Sequence, residues 1–246
     1  MPSLGVNNAS KFSRPTFNPT ATPDLLHWWR SDKEALNGSG VQASDGEGVW
    51  KWTSQVVGDD SVAYVDDTSI RPPFNGAENA IVFNGTLKRL SLDSDITLSA
   101  EGGFFILCRI KFASTPNTTD ILLKDPDDDN MILYLYDATT IKIKLGTAGA
   151  SGNYEFAVPT MGTSDYYNIA IACLGGGSGR LHCYLDNVES TTGGKPVQEG
   201  DESFVFDTIK GGHADYLRTL MVFNGFLNTR DRADLHEWLR VRGPLA

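Results

Sequence analysis

Asp125, Asp127 and Asp129 alternate as the first ligands of a calcium loop do, each offering a carboxylate oxygen to a hard cation. The pattern then departs from such a loop: no glycine stands at the sixth place, and Tyr136 occupies the position of the bidentate glutamate. Solvated acids at a hairpin tip are the simpler reading, so no cofactor is expected beyond a weakly held calcium ion. Trp28, Trp29, Trp50 and Trp52 are the side chains best suited to bind a ligand, because a sugar ring stacks on an open indole face. In an extended segment the adjacent Trp28 and Trp29 point opposite ways, so they cannot both face one core. Against this, tryptophan pairs often pin the first strand of a domain, and that packing reading outweighs the ligand reading. Hydrolysis of a glycosidic bond needs one carboxyl to protonate the leaving oxygen and another to attack or activate water. Asp93 and Asp95 sit among Ser and Thr at a strand exit, and Asp201-Glu202 lies in a glycine-flanked loop; both pairs read as solvated. His27, His182, His213 and His236 show no metal spacing, and His236, beside Glu237, reads as a surface residue. No Gly-x-Ser-x-Gly elbow and no phosphate-binding loop is present. The chain is therefore expected not to be an enzyme.

The elements that must position these residues are mostly short strands. Residues 217–223 form an apolar run of strand length and end in a short bend. Residues 229–242 then read as a helix, capped by Asn228 or Thr229, with Asp231 in its first turn and Arg240 and Arg242 in its last. Leu235, Trp238 and Leu239 make one apolar stripe along it. Upstream, alternating or apolar runs predict strands at 49–52, 62–65, 80–83, 87–92, 103–112, 120–124, 131–136, 140–145, 154–158, 167–174, 180–188 and 204–209. About a dozen close-spaced strands with one late helix fit a two-sheet sandwich or jelly roll better than an alternating α/β fold.

Composition narrows the partners. The chain has 246 residues and a net charge of −10, from 21 Lys and Arg against 31 Asp and Glu. This balance argues against nucleic acid, which needs clustered cations, and against an anionic membrane surface. Cys108, Cys173 and Cys183 are odd in number and lie inside predicted strands, so they read as buried thiols. No apolar leader follows Met1, so synthesis in a cytoplasm without a secretory signal is the expectation, and anything that takes the protein outside a cell is something other than that signal.

Four pieces, taken in order, resemble the concanavalin A-like lectin/glucanase superfamily in its laminin-G-like branch, as found in bacteriophage virion proteins. They are Leu26-His27-Trp28-Trp29-Arg30-Ser31-Asp32 with Val49-Trp50-Lys51-Trp52; Ala80-Ile81-Val82-Phe83-Asn84-Gly85 leading to Leu90; Tyr167-Asn168-Ile169-Ala170-Ile171 followed by Gly179–Asn187; and the terminal strand and helix. Tyr184-Leu185-Asp186-Asn187 stands where such families carry a Tyr-Val-Asp-Gly-like hairpin end. The resemblance implies an all-β fold: two antiparallel sheets packed as a concanavalin A-like jelly roll, with one C-terminal α-helix. It covers about residues 24–243 and implies no particular function, since this fold serves lectins, hydrolases and structural modules. The closely spaced acids on one strand that its glycosidases carry are not found here.

Residues 1–22 differ from the rest. They are rich in Pro, Asn, Ser and Thr, with Leu4, Val6, Phe12 and Phe17 as isolated apolar side chains and Lys11 and Arg14 as the charged ones. Such an extended arm cannot bury enough surface alone to offset its ordering entropy of about 1–2 kcal/mol per residue. It is read as an assembly arm, followed by a sandwich domain over residues 23–246. Together these features suggest a virion structural protein, a phage capsid decoration or tail-associated subunit in contact with copies of itself or with shell or tail proteins. A carbohydrate-binding module for host surface glycans is the alternative, and a divergent polysaccharide-degrading enzyme the third reading.

Overall fold

The computed structural model describes residues 18–22, 24–84, 87–117, 120–125, 130–144, 153–176, 179–197, 203–210 and 215–241. Among them, eighteen strands and one α-helix run in this order. The first part of the chain gives β1 (Leu25–Arg30), β2 (Ala35–Leu36), β3 (Lys51–Thr53), β4 (Val62–Tyr64), β5 (Phe74–Asn75) and β6 (Ala80–Phe83). The middle gives β7 (Arg89–Ser99), β8 (Phe104–Lys111), β9 (Asp120–Asp125), β10 (Asn130–Asp137), β11 (Thr140–Lys144) and β12 (Asn153–Ala157). The last part gives β13 (Tyr167–Leu174), β14 (Arg180–Leu185), β15 (Val188–Glu189), β16 (Lys195–Pro196), β17 (Ser203–Lys210), β18 (Asp215–Phe223) and α1 (Thr229–Val241).

The strands form two antiparallel sheets. The first runs β15-β14-β13-β8-β18-β6-β5, with β1 also paired to β18 and β16 to β14. The second runs β12-β11-β10-β9-β17-β7-β4-β3-β2. Over the described residues the chain is thus an all-β two-sheet sandwich with a single, C-terminal α-helix, as its strand periodicity predicts. Alternation along each strand divides its side chains between two environments. On β8, Phe104, Ile106, Cys108 and Ile110 enter the core between the sheets, while Phe105 and Leu107 enter a second apolar cluster on the outer face of the first sheet. All three cysteines are buried free thiols.

Helix α1 covers that second cluster. Leu235 and Leu239 lie in it beside Trp28, Ala170, Ala172, Tyr184, Met221 and Phe223, with Trp238 packed at its margin. Full burial of a leucine contributes about 1.5–3 kcal/mol, which a lone helix of this length needs in order to persist. The start of the helix is fixed by Asn228, whose Oδ1 accepts from the backbone N–H of Arg230 and of Asp231, both at 3.0 Å. Asn228→Ala removes this cap and is expected to cost about 1 kcal/mol in urea unfolding; an unchanged midpoint would show that helix packing alone sets the helix start.

The structure corrects the expected extent of one strand. Residues 93–99 continue β7, so Asp93 and Asp95 lie within an eleven-residue strand and not at its exit. Both are exposed, and the Asp93 carboxylate accepts from the Val62 N–H at 3.2 Å. The arm residues Leu4, Val6, Lys11, Phe12, Arg14 and Phe17 lie outside the described residues. The final residues assigned to the arm are not extended: Pro19–Ala21 form a 3-10 turn capped by Asn18, with Pro19 buried.

Candidate functional site

The outer face of the first sheet changes character where the helix stops covering it. Two residues beyond the apolar Leu107 on β8 stands Arg109; two before Ala170 on β13 stands Asn168; two beyond Tyr184, past the end of β14, stands Asp186. The two-residue period puts all three side chains on the same face as the covered cluster. Register aligns them in a row, with Asn168 opposite Arg109 and the Asp186 N–H donating to the Asn168 carbonyl at 2.9 Å. Helix α1 faces this row with Ala233, His236, Glu237 and Arg240, one face of two successive turns. Between helix and row lies a cleft of about 420 Å³, also lined by Tyr166 and Asn187.

Hydrogen bonds tie the row together. Arg109 Nη1 donates to Asn168 Oδ1 at 3.0 Å, and the Asn168 N–H donates to Asp186 Oδ1 at 2.8 Å. Asp186 and Asn187 form the turn between β14 and β15 with φ of 49° and 68°. Both positions of a two-residue hairpin turn of this hand need positive φ, which Asp and Asn tolerate. Asn187 in turn accepts from Arg232 Nε at 3.3 Å, and the Arg232 guanidinium lies 4.0 Å from the Tyr184 ring centre.

Several groups of the cleft are left unpaired. His236 is only 6% exposed, yet neither ring nitrogen has a protein partner. Burial, with the nearby charges of Arg232 and Arg109, pushes its pKa down to about 4, so the ring is neutral near pH 7 and offers one donor and one acceptor. Arg109 Nε is also buried without a partner. Burial and the like charge of Arg218 lower the pKa of that guanidinium. Burial raises the Asp186 carboxyl pKa, opposed by its bond from Asn168 and by the Arg109 charge. Leaving a buried polar group unpaired costs about 1–3 kcal/mol, so a ligand that supplies partners here recovers that cost.

The sequence-based candidates fall elsewhere. Trp29 and Trp52 are 0% exposed and belong to the inter-sheet core, and Trp28 is 5% exposed beneath α1. Trp28 and Trp29 do point opposite ways, but the helix seals the second face, so neither indole offers a face to a sugar. Trp50 is half-buried and donates from Nε1 to Asp66 at 3.2 Å. Asp125 is buried at the end of β9, while Asp127, Asp129, Asp201 and Glu202 lie outside the described residues. Among the described residues, no three His, Cys, Asp or Glu side chains cluster to hold a metal. His236 corrects a surface assignment: the buried helix face holds Arg232, Leu235, His236 and Leu239. Arg109 and Asn168 were missed, although each breaks an otherwise apolar strand at an outward position, and that interruption was the available signal.

No family profile matches the sequence, and no curated protein does. Solved structures share the fold. The sialidase of Trypanosoma rangeli matches with a TM-score of 0.58 at 14% identity, over 92% of this chain and 34% of that one. The same sialidase in complex with 2,3-difluorosialic acid matches with a TM-score of 0.58 at 15% identity, over 92% and 35%. The binding domain of botulinum neurotoxin serotype D matches with a TM-score of 0.55 at 12% identity, over 89% and 52%. This chain thus spans about a third of the sialidase and about half of the toxin domain chain. The matched parts of these neighbours share the two-sheet β-sandwich, jelly-roll-like fold of this chain. They also correct the expectation that the chain is not an enzyme: chains named sialidases contain a region that shares its fold, and that expectation is withdrawn. Its premise was too narrow, because reacting carboxyls can be brought together from different strands and loops without being spaced along one strand.

Proposed function

We propose that this chain is a lectin-like domain whose cleft takes one sugar residue of a glycan, and that it serves as a displayed subunit of a virus particle. The observation that carries the glycan reading is the cleft itself: His236 and Arg109, each with buried nitrogens that lack a protein partner, line it together with the Asp186–Asn187 turn. Sugar hydroxyls both donate and accept, which suits a neutral imidazole, a guanidinium donor and a carboxylate acceptor arranged around one cavity. The lectin-like fold supports the same reading. The display reading is supported by residues 1–17, whose Lys11 and Arg14 contrast with the acidic remainder of the chain. It is supported too by the packed turn at Pro19–Ala21, which gives that segment a fixed point of departure.

A glycan array followed by calorimetry tests the first reading. Asp186→Asn and Asn187→Ala are expected to weaken the best ligand at least tenfold, with Trp50→Ala unchanged. Ligand binding indifferent to both cleft variants, or no glycan bound at all, would refute it. Deleting residues 1–17 tests the second. The truncated domain is expected to fold and bind glycan normally but to be lost from assembled particles; normal incorporation would refute display through this segment.

A further inference from the structure

We propose that the glycan is acidic: the sugar in the cleft carries a carboxylate, which sits on Arg109 and His236 while its hydroxyls reach Asp186 and Asn187. This deepens the glycan reading and rests on it. The first support is the edge of Arg109 left free. Nη1 is committed to Asn168 at 3.0 Å, while Nε is buried and unpaired. A guanidinium edge of this kind forms a planar fork with a carboxylate, a match that a lone hydroxyl does not make. His236, unpaired on both ring nitrogens, adds a further donor in the same cavity.

The second support is charge. In a chain of net charge −10, the sheet face beside the cleft is a cationic island. Arg218, Arg109 and Lys111 surround the Tyr166 ring, their charged groups 3.5, 5.5 and 5.9 Å from its centre. Glu78 answers two of them, accepting from Lys111 at 2.7 Å and from Arg218 Nη2 at 3.0 Å. At the rim, Arg240 is closed on Glu237 by two bonds of 2.8 Å. Arg109 therefore holds a partly buried charge beside the like charge of Arg218, opposed by the charge of Asp186.

The third support is the polarity of the row. The backbones of Arg109 and Asp186 stand on either side of Asn168, two strand spacings or about 9–10 Å apart, and both side chains bond to Asn168. Asp186 thus leaves the Arg109 end open to an anion and can accept from hydroxyls at the other end. Tyr166 and Arg218 continue the surface beyond Arg109, where the next residue of an acidic chain would lie.

The test compares matched ligands on the intact protein: galacturonan, mannuronan and glucuronan oligomers and sialyllactose, each beside its carboxyl-reduced counterpart, with sulfated galactan oligomers as a third arm. At least one carboxylated member is expected to bind ten times tighter or more than its reduced partner and than the sulfated oligomers. Its affinity should fall as salt is raised. Arg109→Gln should erase the difference, and Arg109→Lys, which keeps the charge without the fork, should restore it only in part. Neutral glycans bound as tightly as acidic ones, or sulfated ones bound tighter, would overturn this inference and leave the glycan reading standing. Failure of every acidic and neutral glycan to bind would overturn both.

Discussion

Trp29→Ala is expected to destabilise the domain by about 3–5 kcal/mol, the range for deleting a large aromatic side chain from a packed core. Trp29 is 0% exposed on β1, opposite Leu220 of β18, with the Trp52 ring 6.5 Å away and His27 stacked at 5.2 Å. Its indole nitrogen has no partner, so the loss is one of packing alone and no hydrogen bond is broken. The resulting cavity would sit between the two sheets, where paired strands cannot readily close on it. For a chain of this size the fall in Tm would be about 6–20 °C. Urea unfolding gives the direct measure. A cost below about 1 kcal/mol, with glycan binding lost instead, would return Trp29 to the role of an exposed ligand platform.

The second large effect is a loss of stability as pH falls through the range where histidine takes up a proton. His236 has its pKa lowered to about 4, against about 6.5 in the unfolded chain. Between those values the unfolded state binds the extra proton and the folded state does not, so stability falls with falling pH. The loss begins near pH 6.5 and is complete below about pH 4. The separation corresponds to about 3 kcal/mol. Arg232, Leu235 and Leu239 share the buried face of α1 with His236, and Arg109 faces it from β8. Glu237 and Arg240, paired with each other, carry the other charges on that side of the helix. Carboxylates with lowered values, Glu78 and Asp59 among them, add their own loss only further into the acid range. Denaturation at pH 6.5, 5.5 and 4.5 should therefore show wild type losing stability that His236→Phe retains. Parallel curves for the two proteins would show that the imidazole is open to water.

Most of the fold was legible because it obeys local rules. Apolar runs placed the strands at 80–83 and 167–174, and partial alternation the one at 204–209, close to their observed ends, and Asn228 set the start of α1. Residues 93–99 were not read as strand, because Asp93, Ser94 and Asp95 carry the composition of a loop, although the buried Ile96 and Leu98 beyond them alternate with exposed neighbours. The fates of Trp28 and His236 depended on one tertiary fact, that α1 lies across the outer face of the first sheet. That packing buries a side chain the strand pattern sends outward, and it turns the helix so that Arg232 and His236 share the covered face with Leu235 and Leu239. The cleft needed the same fact. Asp186 and Asn187 were visible in sequence as a hairpin end, whereas Arg109 and Asn168 became neighbours only through the pairing of β8 with β13. The calcium spacing at Asp125, Asp127 and Asp129 meets no metal cluster among the described residues, and two of its three members lie outside them.

The cleft between α1 and the first sheet is the proposed seat of the ligand. Titrating isotope-labelled protein with the tightest-binding oligosaccharide and following the amide and side-chain resonances tests it most directly. Shifts are expected to concentrate at Asn168, Asp186, Asn187 and the His236 ring, with Trp50 Nε1–H unmoved. Shifts concentrated at Trp50 or on the outer face of the second sheet, with the cleft silent, would contradict it.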